Sequence, residues 1–230
     1  MQVFYSNSIL GNQAKLEEDE FRHLKVLRKK EGDEVHIIDG KGSRYLARID
    51  GIQSKNALLT ILDQHQEAKA NFPKLYIAPT KNIARMEWLV EKAVELGVDS
   101  IQFMQCEHSE RKKIRIDRLE KIALSALKQS LQLHLPSLFD LKPFDECLEE
   151  MDGTEALFAH CVEDDEHISL SKIEAGKSVC LFIGPEGDFS TAEIAKAKEA
   201  RLKTISLGEE RLRTETAGMF GLAYFKIRRL

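Results

Sequence analysis

Two patterns of apolar and polar residues follow one another along this chain. Up to about residue 67, apolar and polar residues alternate in short segments such as EVHIIDG, SRYLARIDGI and ALLTILDQ. Alternation with a period of two is typical of strands with one buried face, and the Asp-Gly and Lys-Gly pairs between the segments favour tight turns. A helical pattern interrupts these segments near residues 18–27. This first part of the chain therefore predicts a small β-barrel of about 70 residues.

The pattern changes from about residue 73 onward. Continuously apolar runs of strand length (LYIAP, SIQFMQC, ALFAHC, SVCLFIG and TISLG) alternate with longer segments of helical period. Strands in a parallel sheet have this character because helices cover both of its faces. The second part therefore predicts an α/β domain, with helices near residues 83–96, 116–134, 191–201 and 214–227. The polar stretch QEAKANFP is the predicted linker, so the domains are expected at residues 1–70 and 73–230.

Composition and charge are those of an ordinary globular protein. Apolar residues make up 43% of the chain, charged residues 31%, and the formal net charge is -4, so any nucleic-acid partner would have to use local basic patches. No stretch approaches the ~18 apolar residues that span a bilayer, and no signal-peptide pattern opens the sequence. The four cysteines lie far apart. We therefore expect reduced thiols, no metal site and a cytoplasmic location.

Two loops follow predicted strands at the point where parallel sheets bind ligands, beyond the carboxyl ends of the strands. The first lies in LFIGPEGDFSTAEI and the second in TISLGEERLRTETAG. Ser190 and Glu193 match a capping box, and Thr214 is the predicted N-cap of the last helix. Glu186 and Asp188 would repel a phosphate, so the loops favour a ligand with positive charge and hydrogen-bond donors, such as S-adenosylmethionine. Two plain strand-to-helix connections are the alternative.

The pair IGPEGDFS and SLGEERLRTETA resembles the signature of the RsmE family, SPOUT-class methyltransferases of ribosomal RNA. Four further segments resemble the family in the same order: FRHLKVLRKKEGD, MEWLVEKAVELGV, HSERK and LKQSLQLHLP. The resemblance implies an N-terminal PUA-like β-barrel and a C-terminal SPOUT α/β domain with a trefoil knot, acting as a homodimer. It also implies S-adenosylmethionine as methyl donor and, as target, N3 of a uridine near the 3′ end of 16S rRNA in the small ribosomal subunit.

The resemblance and the chemistry together name candidate site residues. The residues expected to hold the cofactor all lie in the two loops or directly after them: Gly184, Pro185, Glu186, Gly187, Leu207, Gly208, Leu212, Thr216 and Ala217. Removing the imide proton of uracil requires a base or a cation that stabilises the resulting negative charge. Arg213 and Arg211 are the electrostatic candidates, and Glu215 or Glu186 is the candidate base.

Two basic clusters are candidates for RNA contact. The first contains Arg22, Lys25, Arg28 and Lys29, of which residues 22, 25 and 29 would share one face of a helix. The second begins at Arg111. A solvated helix face is the alternative for both clusters. Lys92 and Glu95 match family positions, although they could equally form a simple pair one helical turn apart.

Three departures from the family pattern stand out. Asp188 occupies a position where the family usually has a second glycine, and Glu210 is added beside Arg211 and Arg213. Leu131 and Gln132 follow Ser130, where the family often has Gly-Arg, so Lys128 or Arg111 is expected to supply a basic contact instead. Asp188 and the missing Gly-Arg leave room for a non-catalytic RNA-binding assembly factor. A related SPOUT methyltransferase that acts on tRNA is the third alternative.

Overall fold

The computed structural model describes residues 2–151, 154–161, 167–173 and 178–228. The chain divides into two compact units. The first consists of Met1–Ala70 and Leu124–Leu135, and the second of Asn71–Ala123 and Pro136–Leu230.

The first unit is built on a curled half-barrel sheet of six strands in the spatial order β1-β4-β5-β6-β3-β2. The strands are β1 Val3–Tyr5, β2 Ser8–Leu10, β3 Gln13–Glu17, β4 Glu34–Ile38, β5 Ser43–Ile52 and β6 Asn56–Gln66. Strands β1 and β4 run parallel, and the remaining pairs are antiparallel. Leu16, Ile37 and Ile49 are fully buried, which agrees with the alternating pattern. Helix α1 (Glu18–Val26) buries Phe21 and Leu24 against this core.

Residues 124–135 complete the first unit although they lie far along the chain. The Lys128 ammonium forms an ion pair with the Glu20 carboxylate, and a second oxygen of Glu20 accepts the Tyr5 amide at 3.2 Å. The Gly42 amide donates to the Leu133 carbonyl at 2.9 Å. Lys128 is thus paired with an acid of the same unit, and its contact with RNA stays a prediction.

The second unit is an α/β domain with a seven-stranded sheet in the order β11-β13-β10-β12-β7-β8-β9. Its described strand pairs are all parallel. The strands are β7 Lys74–Ile77, β8 Ser100–Gln105, β9 Ser137–Pro143, β10 Glu155–Ala159, β11 Ile168–Ser169, β12 Val179–Ile183 and β13 Lys203–Ser206. Every residue of β12 is buried, as its continuous apolar sequence predicts.

The remaining helices are α2 Ile83–Leu96, α3 Ile116–Ser130, α4 Phe144–Glu149, α5 Thr191–Glu199 and α6 Thr214–Ile227, with a 3-10 turn at Leu170–Lys172. Helices α2 and α6 have the predicted bounds. Helix α3 ends four residues before the predicted position 134, because Leu131 adopts a left-handed φ of 58° and the Ser130 hydroxyl donates to the Ala126 carbonyl at 2.7 Å. None of the described helices is long and apolar enough to cross a membrane.

Candidate active site

The loop after β12 is held by a capping box at the start of α5. The Ser190 side chain accepts the Glu193 amide at 3.3 Å, and the Glu193 carboxylate accepts the Ser190 amide at 2.8 Å. The other carboxylate oxygen of Glu193 accepts the Glu107 amide at 2.9 Å. The predicted capping box is therefore confirmed. The Glu193 carboxylate also fixes the backbone that follows β8.

Asp188 joins this loop to the end of β10. Its backbone has a left-handed φ of 63°, a conformation in which glycine carries no strain and Asp is among the better tolerated side chains. One carboxylate oxygen accepts the Cys161 amide at 2.8 Å, and the other accepts the Phe189 amide at 2.9 Å. The side chain that replaces the expected glycine thus makes a contact that glycine cannot make.

The loop after β13 meets the first loop through Thr214. The predicted N-cap role of Thr214 is wrong, because Arg213 is the N-cap residue and Thr214 is the first residue of α6. The Thr214 hydroxyl instead donates to the Gly184 carbonyl at 3.0 Å. This contact is buried and ties the two loops together.

Two adjoining cavities open between these loops, and together they form what we call the cleft. Their volumes are about 270 and 560 Å³, the size range of small-molecule sites. Residues common to both are Ala159, Cys161, Asp188, Arg211, Leu212 and Ala217. The cleft therefore lies at the carboxyl ends of β10, β12 and β13, where a parallel sheet binds ligands.

Seven of the nine predicted cofactor residues line the cleft. Gly184, Pro185 and Glu186 line the smaller cavity, Leu207 and Gly208 the larger, and Leu212 and Ala217 both. Gly187 and Thr216 do not line it. A side chain at Gly187 would approach His108, and Thr216 lines a separate recess with Trp88.

Sequence reasoning missed the cleft residues contributed by β10. Ala159 ends this strand, His160 and Cys161 directly follow it, and His167 lines the same cavity. No motif marks them, because it is the position of β10 between β12 and β13 that brings them to the site.

The four predicted catalytic residues do not lie together: three line the cleft and the fourth lies outside it. Arg211, Arg213 and Glu186 line the smaller cavity. Arg211 donates to the Glu186 carbonyl at 3.5 Å, and the Glu186 carboxylate accepts the Lys81 amide at 3.1 Å. Glu215 lies outside the cleft, where its Oε1 is 3.5 Å from Nε of Arg85.

Of the basic candidates of the first unit, three are exposed and Lys29 is half-buried, and the four do not all share one helical face. Arg22 and Lys25 lie on α1, where Arg22 forms an ion pair with Asp19. The expectation that Lys29 lies on the same face is wrong, because α1 ends at Val26 and Arg28 has a left-handed φ of 54°. The cluster is therefore a helix followed by a turn.

Arg111 of the second cluster contacts the backbone. Its Nε donates to the Thr80 carbonyl at 2.9 Å, and its Nη2 donates to the Lys81 carbonyl. The guanidinium thus holds the loop between β7 and α2, beside Lys112 and Lys113.

Lys92 forms ion pairs with Glu91 at 2.7 Å and Glu95 at 2.8 Å on the same helix. Nowhere in the described ranges do three or more metal-ligating side chains cluster.

Comparison with known proteins agrees with the fold and the loops. A family model described as "RNA methyltransferase domain" matches residues 68–226, and one described as "RNA methyltransferase PUA domain" matches residues 16–62. The ribosomal RNA small subunit methyltransferase E of Bacillus subtilis is 26% identical over 89% of this chain and 86% of its own length.

Two solved structures cover almost the whole chain. A probable rRNA-methyltransferase from Porphyromonas gingivalis is 36% identical with a TM-score of 0.91, covering 99% of this chain and 98% of its own. The ribosomal RNA small subunit methyltransferase E of Neisseria gonorrhoeae, bound to S-adenosylmethionine, is 27% identical with a TM-score of 0.87, covering 99% and 97%.

The parallel sheet, the two joined loops and the preceding half-barrel define an RNA methyltransferase with an N-terminal PUA domain. Within that class, the matches extend over nearly the full length of small-subunit methyltransferases E. This chain belongs to the RsmE family.

Proposed function

We propose that this protein transfers a methyl group from S-adenosylmethionine to N3 of a uridine near the 3′ end of 16S rRNA. The structural observation that carries the proposal is the cleft, in which the loops after β12 and β13 meet at the Thr214–Gly184 hydrogen bond. The relatives from Bacillus subtilis and Neisseria gonorrhoeae, which align with this chain over most of their length, are small-subunit rRNA methyltransferases.

The cleft residues fit S-adenosylmethionine chemically. Apolar walls from Ala159, Ile183 and Leu212 suit the adenine ring and the methionine carbons of the cofactor. The carboxylate of Asp188 gives the cleft a negative charge that suits a sulfonium or an ammonium. The bound cofactor supplies an electrophilic methyl group.

The chain's own contribution to the reaction is electrostatic and positional. Arg213 and Arg211 are exposed at the rim of the smaller cavity, where a guanidinium stabilises the negative charge that develops on a uracil imide as N3 loses its proton. The Thr214 hydroxyl fixes the start of α6 beside Arg213. Glu186 and Glu215 are the candidate bases, and of these only Glu186 lines the cleft.

The proposal also assigns roles to larger parts of the chain. Residues 1–70 form the PUA-like RNA-binding domain, with Arg22, Lys25, Arg28 and Lys29 on its surface, and residues 73–230 form the methyltransferase domain. Arg111 acts by holding the loop that carries Lys81. The SPOUT trefoil knot and a homodimer belong to the same proposal, as does a cytoplasmic location, because the substrate is a ribosomal RNA.

The test combines cofactor binding with product analysis. We expect S-adenosylmethionine and S-adenosylhomocysteine to raise the melting temperature of the purified protein. Small subunits from a deletion strain should gain one 3-methyluridine in the 3′ region of 16S rRNA when incubated with protein and S-adenosylmethionine, as measured by mass spectrometry. Arg213→Ala should abolish this product while the melting shift remains, since the arginine acts on the RNA base.

Arg201→Ala is the matched control, because Arg201 is an exposed arginine that does not line the cleft. Wild-type activity in Arg213→Ala would refute the role of that arginine. A flat melting response to both ligands would favour the non-catalytic assembly factor, and methylation of tRNA but not of 16S rRNA would favour the tRNA enzyme.

A further inference from the structure

A basic pocket lies outside the cleft, beyond the carboxyl ends of β7 and β8. Its volume is about 350 Å³, and it is lined by Lys81, Glu110, Arg111, Lys112 and Lys113. None of these residues lines the cleft. Lys81 follows β7 and the other four follow β8, so the pocket opens at the same edge of the parallel sheet as the cleft.

The basic pocket carries an excess of positive charge, although the whole chain has a net charge of -4. Its single carboxylate, Glu110, forms an ion pair with Lys81 at 2.7 Å. Arg111 donates through Nε and Nη2 to two backbone carbonyls. Lys112 and Lys113 are exposed, and their ammonium groups form no ion pair with any described residue. These two lysines can therefore bind a ligand that carries negative charge.

Hydrogen bonds hold the basic pocket beside the loop after β12. The Lys81 amide donates to the Glu186 carboxylate at 3.1 Å, and Glu186 lines the cleft. On the β8 side, Nδ1 of His108 lies 3.2 Å from the Gly187 carbonyl and 3.1 Å from the Asp188 carbonyl. Because a carbonyl oxygen can only accept, this nitrogen carries the proton and donates to both. The segments that form the pocket are thus attached to a wall of the cleft.

The basic pocket and the cleft are close enough for one RNA strand to occupy both. Neighbouring strands of a sheet are about 4.8 Å apart, and β7 alone lies between β8 and β12, so β8 is about 10 Å from β12. Lysine ammonium groups bind phosphate as point charges, and a polynucleotide offers one phosphate per nucleotide.

We propose that the basic pocket binds a backbone phosphate of RNA, next to the nucleotide that enters the cleft. Lys112 and Lys113 contact the phosphate oxygens, while Lys81 stays paired with Glu110 at the edge of the pocket. The proposal rests on the proposed function for its ligand, and it adds a site that fixes where the RNA strand lies. Contacts with phosphate hold a strand in register but read no base.

The test removes the two unpaired cations together. We expect Lys112→Ala/Lys113→Ala to bind fluorescein-labelled decauridine more weakly, and the slope of log affinity against log salt concentration to fall by about 0.7, the value for one phosphate of a single strand. The KM for small subunits from the deletion strain should rise about tenfold at an unchanged kcat, because the contact is the same in the ground state and the transition state. The melting shift with S-adenosylhomocysteine should not change, since neither lysine lines the cleft.

Lys121→Ala/Lys172→Ala is the matched control, because both are exposed lysines of the second unit that lie outside the basic pocket. Lys112→Arg/Lys113→Arg keeps both charges and should keep the wild-type salt slope. The proposal is overturned if Lys112→Ala/Lys113→Ala has the wild-type slope and KM. It is also overturned if the control variant loses as much of the slope.

Inorganic phosphate distinguishes an RNA phosphate from a free one. We expect millimolar inorganic phosphate to change the melting temperature of the wild type and of Lys112→Ala/Lys113→Ala equally. A saturable rise confined to the wild type would make the pocket a site for free phosphate and would overturn the proposal. The decauridine measurement involves no methyl transfer, so a failed methylation assay counts against the proposed function alone.

Discussion

Two side chains occupy backbone positions that the family resemblance expects to be glycine, and both have a left-handed φ. Asp188 has a φ of 63° and Leu131 a φ of 58°. Such a conformation costs a non-glycine residue about 1 kcal/mol or more. Asp188 offsets this cost with two amide contacts, one of them to Cys161. Leu131 follows the last residue of α3, and nothing in its surroundings explains a leucine at this left-handed position.

Asp188 should be tested through the cysteine it contacts. Burial, and next the negative charge of Asp188, raise the pKa of the Cys161 thiol. Below that pKa the reactive thiolate is scarce, so alkylation of Cys161 should be slow and should accelerate as the pH rises. Asp188→Asn removes the negative charge, lowers the thiol pKa and should therefore speed alkylation at a fixed neutral pH. We also expect this variant to bind S-adenosylmethionine about tenfold more weakly, since a charged acceptor is lost.

Alkylation is measured with iodoacetamide and peptide mass spectrometry. Cys161 is the exposed cysteine, whereas Cys106, Cys147 and Cys180 are buried, and burial raises the pKa of Cys147 to about 12. Bound S-adenosylmethionine should protect Cys161, because this residue lines the cleft. Asp145→Asn is the control for charge removal at an exposed position. Equal alkylation rates in Asp188→Asn and the wild type would contradict the electrostatic contact.

Residue types and spacing indicated the parts of the site that are continuous in sequence. The two loops could be predicted from the residues of GPEGD and SLGEERLR, and seven of nine predicted cofactor residues do line the cleft. Arg111 and Glu215 could not be placed in the same way. Their positions depend on contacts with Thr80 and Arg85, which no spacing rule reveals.

At the scale of elements, α6 lies against the sheet through its glycines. A Cβ added at Gly221 would overlap Cδ2 of Leu181 in β12, and Leu181 is fully buried. A Cβ at Gly218 would lie 3.3 Å from the Cδ1 atoms of Ile77 and Leu89, which is a tight contact but not an overlap. The helix can therefore approach β12 closely only while position 221 has no side chain.

Gly221→Ala should destabilise the second unit by about 1–3 kcal/mol, because overpacking outweighs the higher helix propensity of alanine. Gly218→Ala makes the same chemical change one helical turn earlier and should be close to neutral. Urea denaturation followed by circular dichroism measures both variants. If the two variants have the same midpoint, the close approach of α6 to β12 does not limit stability.

Helices and strands could be predicted from the sequence where their burial produces a continuous or periodic pattern of apolar residues. The strands that fill the middle of the second sheet have continuous apolar runs, and α2 and α6 were predicted to the residue. Strand β9 was missed because it pairs only with β8 at the edge of the sheet and has just a few half-buried positions. The short helix α4 that follows is too brief to show a periodic pattern.

At the scale of the whole molecule, the proposed homodimer has a candidate surface on α6. Phe220 is 49% exposed and Ile227 is 67% exposed, and their spacing of seven residues places them on one face of the helix. Exposed apolar side chains on one face favour association with another surface. The expected dimer would cover this face.

Phe220→Arg should convert the dimer to a monomer, because a buried guanidinium without a partner costs several kcal/mol at an interface. Analytical ultracentrifugation over a range of protein concentrations measures the change. Leu10→Arg is the control, since Leu10 is an exposed leucine of the first unit at 86% exposure. A wild-type protein that sediments as a monomer, or a dimer that survives Phe220→Arg, would remove α6 from the interface.

The strand order of the second sheet has a consequence for how the protein is made. Strand β7 pairs with β12, so Lys74 meets Cys180 and Ile77 meets Ile183, residues that leave the ribosome long after β7. Pairings between such distant segments form slowly, because a long chain must close before any contact is gained. The cleft needs β10, β12, β13 and the start of α6 at once. A nascent chain should therefore be unable to retain the cofactor until synthesis has passed α6, which makes cofactor binding a late event in folding.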